Sequence, residues 1–112
     1  PEELWSNTKL QSLLLDMNNF VGTLSSSIGN LLDLTDLNLA SNNFTGTVPL
    51  LLGRLESLVN ISLAENQFTG TLRDVFATFT MLESLDVSQN LLTGVIPSQL
   101  FELPMIKTIA LN

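Results

Sequence analysis

A leucine or isoleucine returns every 24 residues along the chain, at Leu10, Leu34, Leu58, Leu82 and Ile106, with no insertion between the copies. A fixed period in this range is the signature of a solenoid, in which each repeat forms one coil and neighbouring coils bury one another's apolar positions. Each unit opens with a short alternating segment: Leu13-Leu14-Leu15, Leu37-Asn38-Leu39, Ile61-Ser62-Leu63, Leu85-Asp86-Val87 and Ile109-Ala110-Leu111. Alternation with period two predicts a strand. Coils stacked in one sense bring these strands into a parallel ladder of about five. Its outward positions are Ser12, Leu14 and Asp16; Asp36, Asn38 and Ala40; Asn60, Ser62 and Ala64; Ser84, Asp86 and Ser88; and Thr108, Ala110 and Asn112.

After each strand the chain must turn, and Asn18, Asn42, Asn66 or Asn90 stands at that point. A carboxamide both donates and accepts, so a column of inward Asn can satisfy the backbone groups that a turn leaves unpaired. Two residues on, Phe20, Phe44, Phe68 and Leu92 form a column of large apolar side chains that fills the coil. Next come Val21-Gly22-Thr23-Leu24, Thr45-Gly46-Thr47-Val48, Thr69-Gly70-Thr71-Leu72 and Thr93-Gly94-Val95-Ile96. Thr and Val favour extended chain and Gly marks a bend or a close approach, which predicts a second, shorter parallel ladder on the flank. The return path, Pro49 to Leu55 and its copies, is too short for a regular α-helix, and Pro1, Ser25, Pro49, Arg73 and Pro97 stand at its start. Irregular chain or single 3₁₀ turns are expected there.

The pattern Leu34-x-x-Leu37-x-Leu39-x-x-Asn42-x-Phe44-x-Gly46-x-Val48-Pro49-x-x-Leu52-Gly53-x-Leu55 resembles the plant-type leucine-rich repeat, and the resemblance covers essentially the whole chain. It implies an α/β-class, β-dominated right-handed solenoid with a parallel concave sheet of about five strands, a short flank sheet and an irregular or 3₁₀ convex side. The chain reads as one solenoid segment over residues 1–112, with a partial repeat 1–9, repeats 10–33, 34–57, 58–81 and 82–105, and a partial repeat 106–112. The terminal units keep the pattern where capping repeats depart from it. They predict an internal piece of a longer array, or open ends covered by neighbouring repeats or another chain.

Composition narrows the chemistry. Hydrophobic residues at 45% and charged residues at 13% belong to a folded chain. A net charge of −7 with only four Lys and Arg argues against nucleic acid, whose binding depends on displacing counterions with cationic side chains. Cys and His are both absent, which removes thiolate nucleophiles, imidazole bases and most zinc or copper sites. Asp16 and Asp86 lie several rungs apart, which does not support a paired-carboxylate catalyst, and their columns also hold Ala40, Ala64 and Ala110, so a metal site is not supported and no cofactor is implied. No apolar run reaches the roughly 18 residues of a membrane span, and direct membrane insertion of this segment is not expected.

Candidate ligand-binding residues are the polar or unusual outward positions of the large ladder: Leu14, Asp16, Met17, Asp36, Asn38, Asn60, Ser62, Glu65 and Asp86. Leu14 and Met17 stand in columns that are otherwise polar, and are suited to anchor an apolar side chain. Five strands at about 4.8 Å cover only roughly 20 Å. That leaves about 300 Å² of face, below the roughly 800 Å² per partner of a specific interface. A solvated sheet face explains the same polarity without a ligand. Leu50 and Leu51 replace polar residues on the return path and form a candidate convex contact. Two sequons, Asn43-Phe44-Thr45 and Asn60-Ile61-Ser62, are candidate glycosylation sites, and a glycan on Asn60 would obstruct the large ladder.

The resemblance, to receptor-like kinase ectodomains and polygalacturonase-inhibiting proteins, implies a non-catalytic, extracellular or cell-surface module. By it, the module recognises a protein or peptide ligand and can engage a co-receptor. The alternative from another class is an assembly component whose open ends or Leu50-Leu51 patch hold other subunits. A minor alternative is ice binding, because Thr45-Gly46-Thr47 over Thr69-Gly70-Thr71 is similar to the Thr rows of ice-binding solenoids.

Overall fold

The computed structural model of the protein describes residues 2–72, 74–76 and 78–112. The return-path positions Pro1 and Arg73 lie outside them. The alternating segments form strands β1 (Ser12–Leu14), β3 (Asp36–Asn38), β5 (Asn60–Ser62), β7 (Ser84–Asp86) and β8 (Thr108–Ala110). They pair in parallel in the order β1-β3-β5-β7-β8. Ser12 faces Asp36, Asp36 faces Asn60, Asn60 faces Ser84 and Ser84 faces Thr108, so this sheet keeps the 24-residue period of the sequence. The leucine-rich repeat fold is as the sequence implies.

Alternation buries one side of each strand. Leu13, Leu37, Ile61 and Leu85 point into the coil, joined by Leu39, Leu63 and Val87 just beyond the strands. From the opposite side the return path contributes Ile28, Leu52, Phe76 and Leu100, and then Leu31, Leu55, Phe79 and Leu103. Phe20, Phe44 and Phe68 stack between them, with ring centroids 6.3 and 6.1 Å apart and planes 16° and 11° from parallel. No coil could bury these side chains alone; the coil above and the coil below supply the lid and the floor.

Among the described residues, 3₁₀ turns occupy Glu2–Ser6, Ser26–Asn30, Leu50–Arg54, Asp74–Phe76 and Ser98–Glu102. Pro49 and Pro97 precede two of them with φ near −65°, the value their rings impose. The amides of Leu31 and Leu55 bond back to Ile28 and Leu52, which closes one tight turn and aims both leucines inward. The coils approach closely here. A Cβ on Gly29 would lie 2.7 Å from the Leu51 carbonyl oxygen of the next coil.

The Asn column is the internal brace. Asn42 and Asn66 are the buried polar residues of the described core, 6% and 7% exposed. Asn42 Nδ2 faces the carbonyls of Leu39 and Ala40 in its own turn and of Leu15 in the preceding coil. Asn66 and Asn90 repeat the arrangement. Asn18 makes the same two bonds within its own turn, from Nδ2 to the Leu15 and Asp16 carbonyls, and is exposed.

The flank sheet holds β2 (Val21–Thr23), β4 (Asn43–Thr47) and β6 (Gln67–Thr69). Two expectations are corrected here. First, Val21 faces Asn43, Thr45 faces Gln67 and Thr47 faces Thr69, a 22-residue step in place of 24, so Thr45 is not stacked on Thr69. The Asn brace makes the same step: Asn42 Oδ1 accepts from the Phe20 amide and Asn66 Oδ1 from the Phe44 amide, each 22 residues back. Second, Thr93–Ile96 does not continue the ladder as a strand. Asn90 braces Phe68, and the amides of Leu91 and Thr93 still bond to the carbonyls of Phe68 and Gly70 in the preceding coil. Gly46, at φ 79°, sits where a Cβ would come within 2.9 Å of the Thr23 methyl, so each coil's Thr packs into the space left by the next coil's Gly.

Candidate ligand-binding face

The outward side of the large sheet presents two straight rows. One runs Ser12, Asp36, Asn60, Ser84, Thr108, and the other Leu14, Asn38, Ser62, Asp86, Ala110. Between them lies an open concavity of about 360 Å³ lined by Leu14, Asp36, Asn38, Asn60, Ser62, Ser84 and Asp86, with Leu37 and Ile61 as its floor. Six of the nine candidate ligand residues thus fall together. Ser84, in the column of Asp36 and Asn60, joins them.

The polar side chains of this concavity are held in place from below. Asp36 accepts from Asn60 Nδ2 at 2.7 Å and from Thr35 Oγ1 at 3.0 Å. Asn38 Oδ1 accepts from the Ala40 amide at 3.0 Å, and Asp86 Oδ1 from the Ser88 amide at 3.0 Å and its hydroxyl at 2.6 Å. The bond from residue i to i+2 recurs because the chain bends immediately after each strand. Asn38 Nδ2 and Asp86 Oδ2 make no bond to the protein among the described residues, so both are available to a ligand. Leu14 is 62% exposed at the first strand.

Asp16, Met17 and Glu65 lie beyond the strand ends and do not line the concavity. Met17 and Glu65, with Ser41 and Gln89, adopt the left-handed conformation at φ 55–57°. They turn the chain into the Asn brace, and Met17 is 81% exposed as a result. The sequence reading missed this turn role, because four dissimilar side chains share a backbone state that favours Gly. Asn60 stands in the wall of the concavity with its carboxamide engaged by Asp36, while Asn43 is exposed on β4 of the flank sheet. Leu50 and Leu51 are exposed on the return side.

A further apolar cleft of about 340 Å³ opens between Leu4, Trp5, Leu15, Phe20, Leu24 and Phe44 at the first coil. Among the described residues no group of three or more His, Cys, Asp or Glu is arranged to hold a metal ion, and no helix is long and apolar enough to cross a membrane.

The Leucine Rich Repeat family model matches residues 9–31, 33–55 and 81–103, more than half of the chain. Solved structures similar to it include the plant peptide hormone receptor RGFR1 in complex with RGF2, at 38% identity and a TM-score of 0.92, over 97% of this chain and 17% of that one. The ectodomain of the Arabidopsis receptor kinase HAESA, in complex with an N-terminally extended IDA peptide hormone ligand, is 32% identical with a TM-score of 0.92, over 97% of this chain and 18% of that one. A plant ice-binding protein is 31% identical with a TM-score of 0.87, over 92% of this chain and 33% of that one. The chain therefore spans a third or less of the length of each of these three. No curated protein matches significantly.

Proposed function

The chain belongs to the leucine-rich repeat family, and on that premise we propose that it is a non-catalytic recognition module of an extracellular or cell-surface, receptor-like protein whose large sheet binds an extended peptide. The observation that carries this reading is the concavity between the two outward rows, where an exposed leucine and unpaired polar atoms are held on a rigid sheet. Preorganised side chains of this kind bind with little loss of their own freedom. The similarity to two plant hormone receptors solved with peptides supports the ligand class. The small area of the face means that other repeats of a longer array, or a second chain such as a co-receptor, complete the interface. The apolar cleft at the first coil offers a surface for such packing.

The test is a random peptide display selection on the intact chain, followed by mapping of amide resonances. Selected peptides are expected to shift Leu14, Asn38, Ser62 and Asp86 and to leave the flank sheet unmoved. Failure to select any peptide that shifts these residues overturns the reading. An obligate oligomer in dilute solution, closed through Leu50 and Leu51, establishes the assembly alternative in its place.

A second reading rests on the flank sheet, whose outward residues Val21, Thr23, Asn43, Thr45, Thr47, Gln67 and Thr69 are all exposed and uncharged. With the similarity to a plant ice-binding protein, it supports ice binding by this face. The 22-residue step puts Gln67 into the Thr23–Thr45 row, which works against a regular hydroxyl lattice. Absence of thermal hysteresis removes this reading.

A further inference from the structure

The charge on the large sheet is one-sided. From Gln11 to Asn18 and in the equivalent stretches of the later coils stand Asp16, Asp36, Glu65, Glu83 and Asp86, against Lys107 as the one cation. Lys107 Nζ is committed to Glu83 Oε1 at 3.1 Å. The concavity itself is lined by two carboxylates and no cation. Asp36 has protein donors on both oxygens, whereas Asp86 spends only Oδ1 on Ser88 and leaves Oδ2 without a protein partner among the described residues.

Asp86 shares its row with Leu14, three strands away. At about 4.8 Å per strand the two are roughly 14 Å apart, and an extended peptide rising about 3.3 Å per residue crosses that distance in about four residues. Positions four apart on an extended chain point to the same side, so one peptide face reaches both ends of the row. The span between them, over Asn38 and Ser62, accommodates polar or small residues.

We propose that this face takes an extended peptide lying across the strands, with an apolar side chain on Leu14 and, four residues further along, a Lys or Arg on Asp86. The assignment rests on the peptide-binding reading above and adds its charge and spacing. The excess of carboxylates on the face attracts such a peptide at a distance and repels an acidic one.

The experiment begins from the same display selection on the intact chain and then uses defined probes. The synthetic peptide Gly-Leu-Ser-Gly-Ser-Arg-Gly is compared with its Arg-to-Glu counterpart by amide-shift titration. The Arg peptide is expected to bind roughly three- to fivefold more tightly, the scale of an exposed ion pair, with the margin shrinking in high salt. In Asp86→Asn the margin is expected to fall at least twofold, to what the remaining carboxylates of the face supply, while the fold persists, because Asn38 already makes the same turn bond in the second coil. A Glu peptide that binds as well, a margin undiminished in Asp86→Asn, or selected peptides that map to the face without a basic residue overturns the charge assignment and leaves peptide binding standing. If no selected or synthetic peptide shifts the large sheet, both fall together.

Discussion

Asn42 Oδ1 accepts the backbone amide of Phe20 at 3.1 Å, so a side chain of one coil completes the turn of the coil before it. The bond does two things at once. It satisfies a half-buried amide, and it joins successive coils at a step of 22 residues where the large sheet joins them at 24. The large sheet thereby stays in register with the repeat while the flank sheet runs two residues short of it.

Replacing Asn66 by Ala removes the acceptor of the Phe44 amide and the donor facing Leu39, Leu63 and Ala64. With buried groups left unsatisfied, the loss expected is about 2–3 kcal/mol. Asn18→Ala removes only exposed contacts within one turn and is expected to cost below about 1 kcal/mol. Urea denaturation of the two variants measures the difference, and equal midpoints would show that the brace between coils contributes nothing.

Gly22 and Gly94 share a left-handed backbone, at φ 89° and 86°, but differ in surroundings. A Cβ on Gly22 meets nothing within 4 Å, whereas one on Gly94 comes within 2.7 Å of the Thr71 methyl. Gly22→Ala is therefore expected to cost about 1–2 kcal/mol from the backbone alone. Gly94→Ala should add about 1–3 kcal/mol of overpacking, relieved in the double variant with Thr71→Ser. A thermal melt of the three variants separates the contributions.

The Lys107–Glu83 pair has its two side chains 69% and 36% exposed. Lys107→Ala is expected to change stability by less than about 1 kcal/mol, with the small effect disappearing in salt. A loss well above that in the unfolding curve would assign Lys107 a packing role in place of an electrostatic one.

Occupancy of the two sequons has opposite consequences for the large sheet. A glycan on Asn60 would stand in the wall of the concavity, and one on Asn43 would stand on the flank. For protein secreted from eukaryotic cells, enzymatic removal of glycans is expected to raise peptide affinity only where mass analysis finds Asn60 occupied. Peptide binding that ignores a glycan on Asn60 would place the binding surface elsewhere.

Much of the architecture was legible because it repeats. The Leu13, Leu37, Ile61 and Leu85 column, the Phe20, Phe44 and Phe68 stack, and the Asn brace each follow from one residue type returning at one interval, with burial as the physical cause. The candidate site was legible only in part. Asp36, Asn38, Asn60, Ser62 and Asp86 share the concavity with Leu14 because their columns adjoin, whereas Met17 and Glu65 lie at a left-handed turn that their side chains do not announce.

By itself the sequence determined the coil, its period, the parallel large sheet and the residues that fill it, since each is a consequence of which positions must leave water. Only the tertiary structure decided the 22-step register of the flank and the use of one coil's Asn to complete the turn of the coil before it. Those depend on which backbone groups of a neighbouring coil come within reach of an Asn side chain. That reach is a property of stacked coils, and no single repeat contains it.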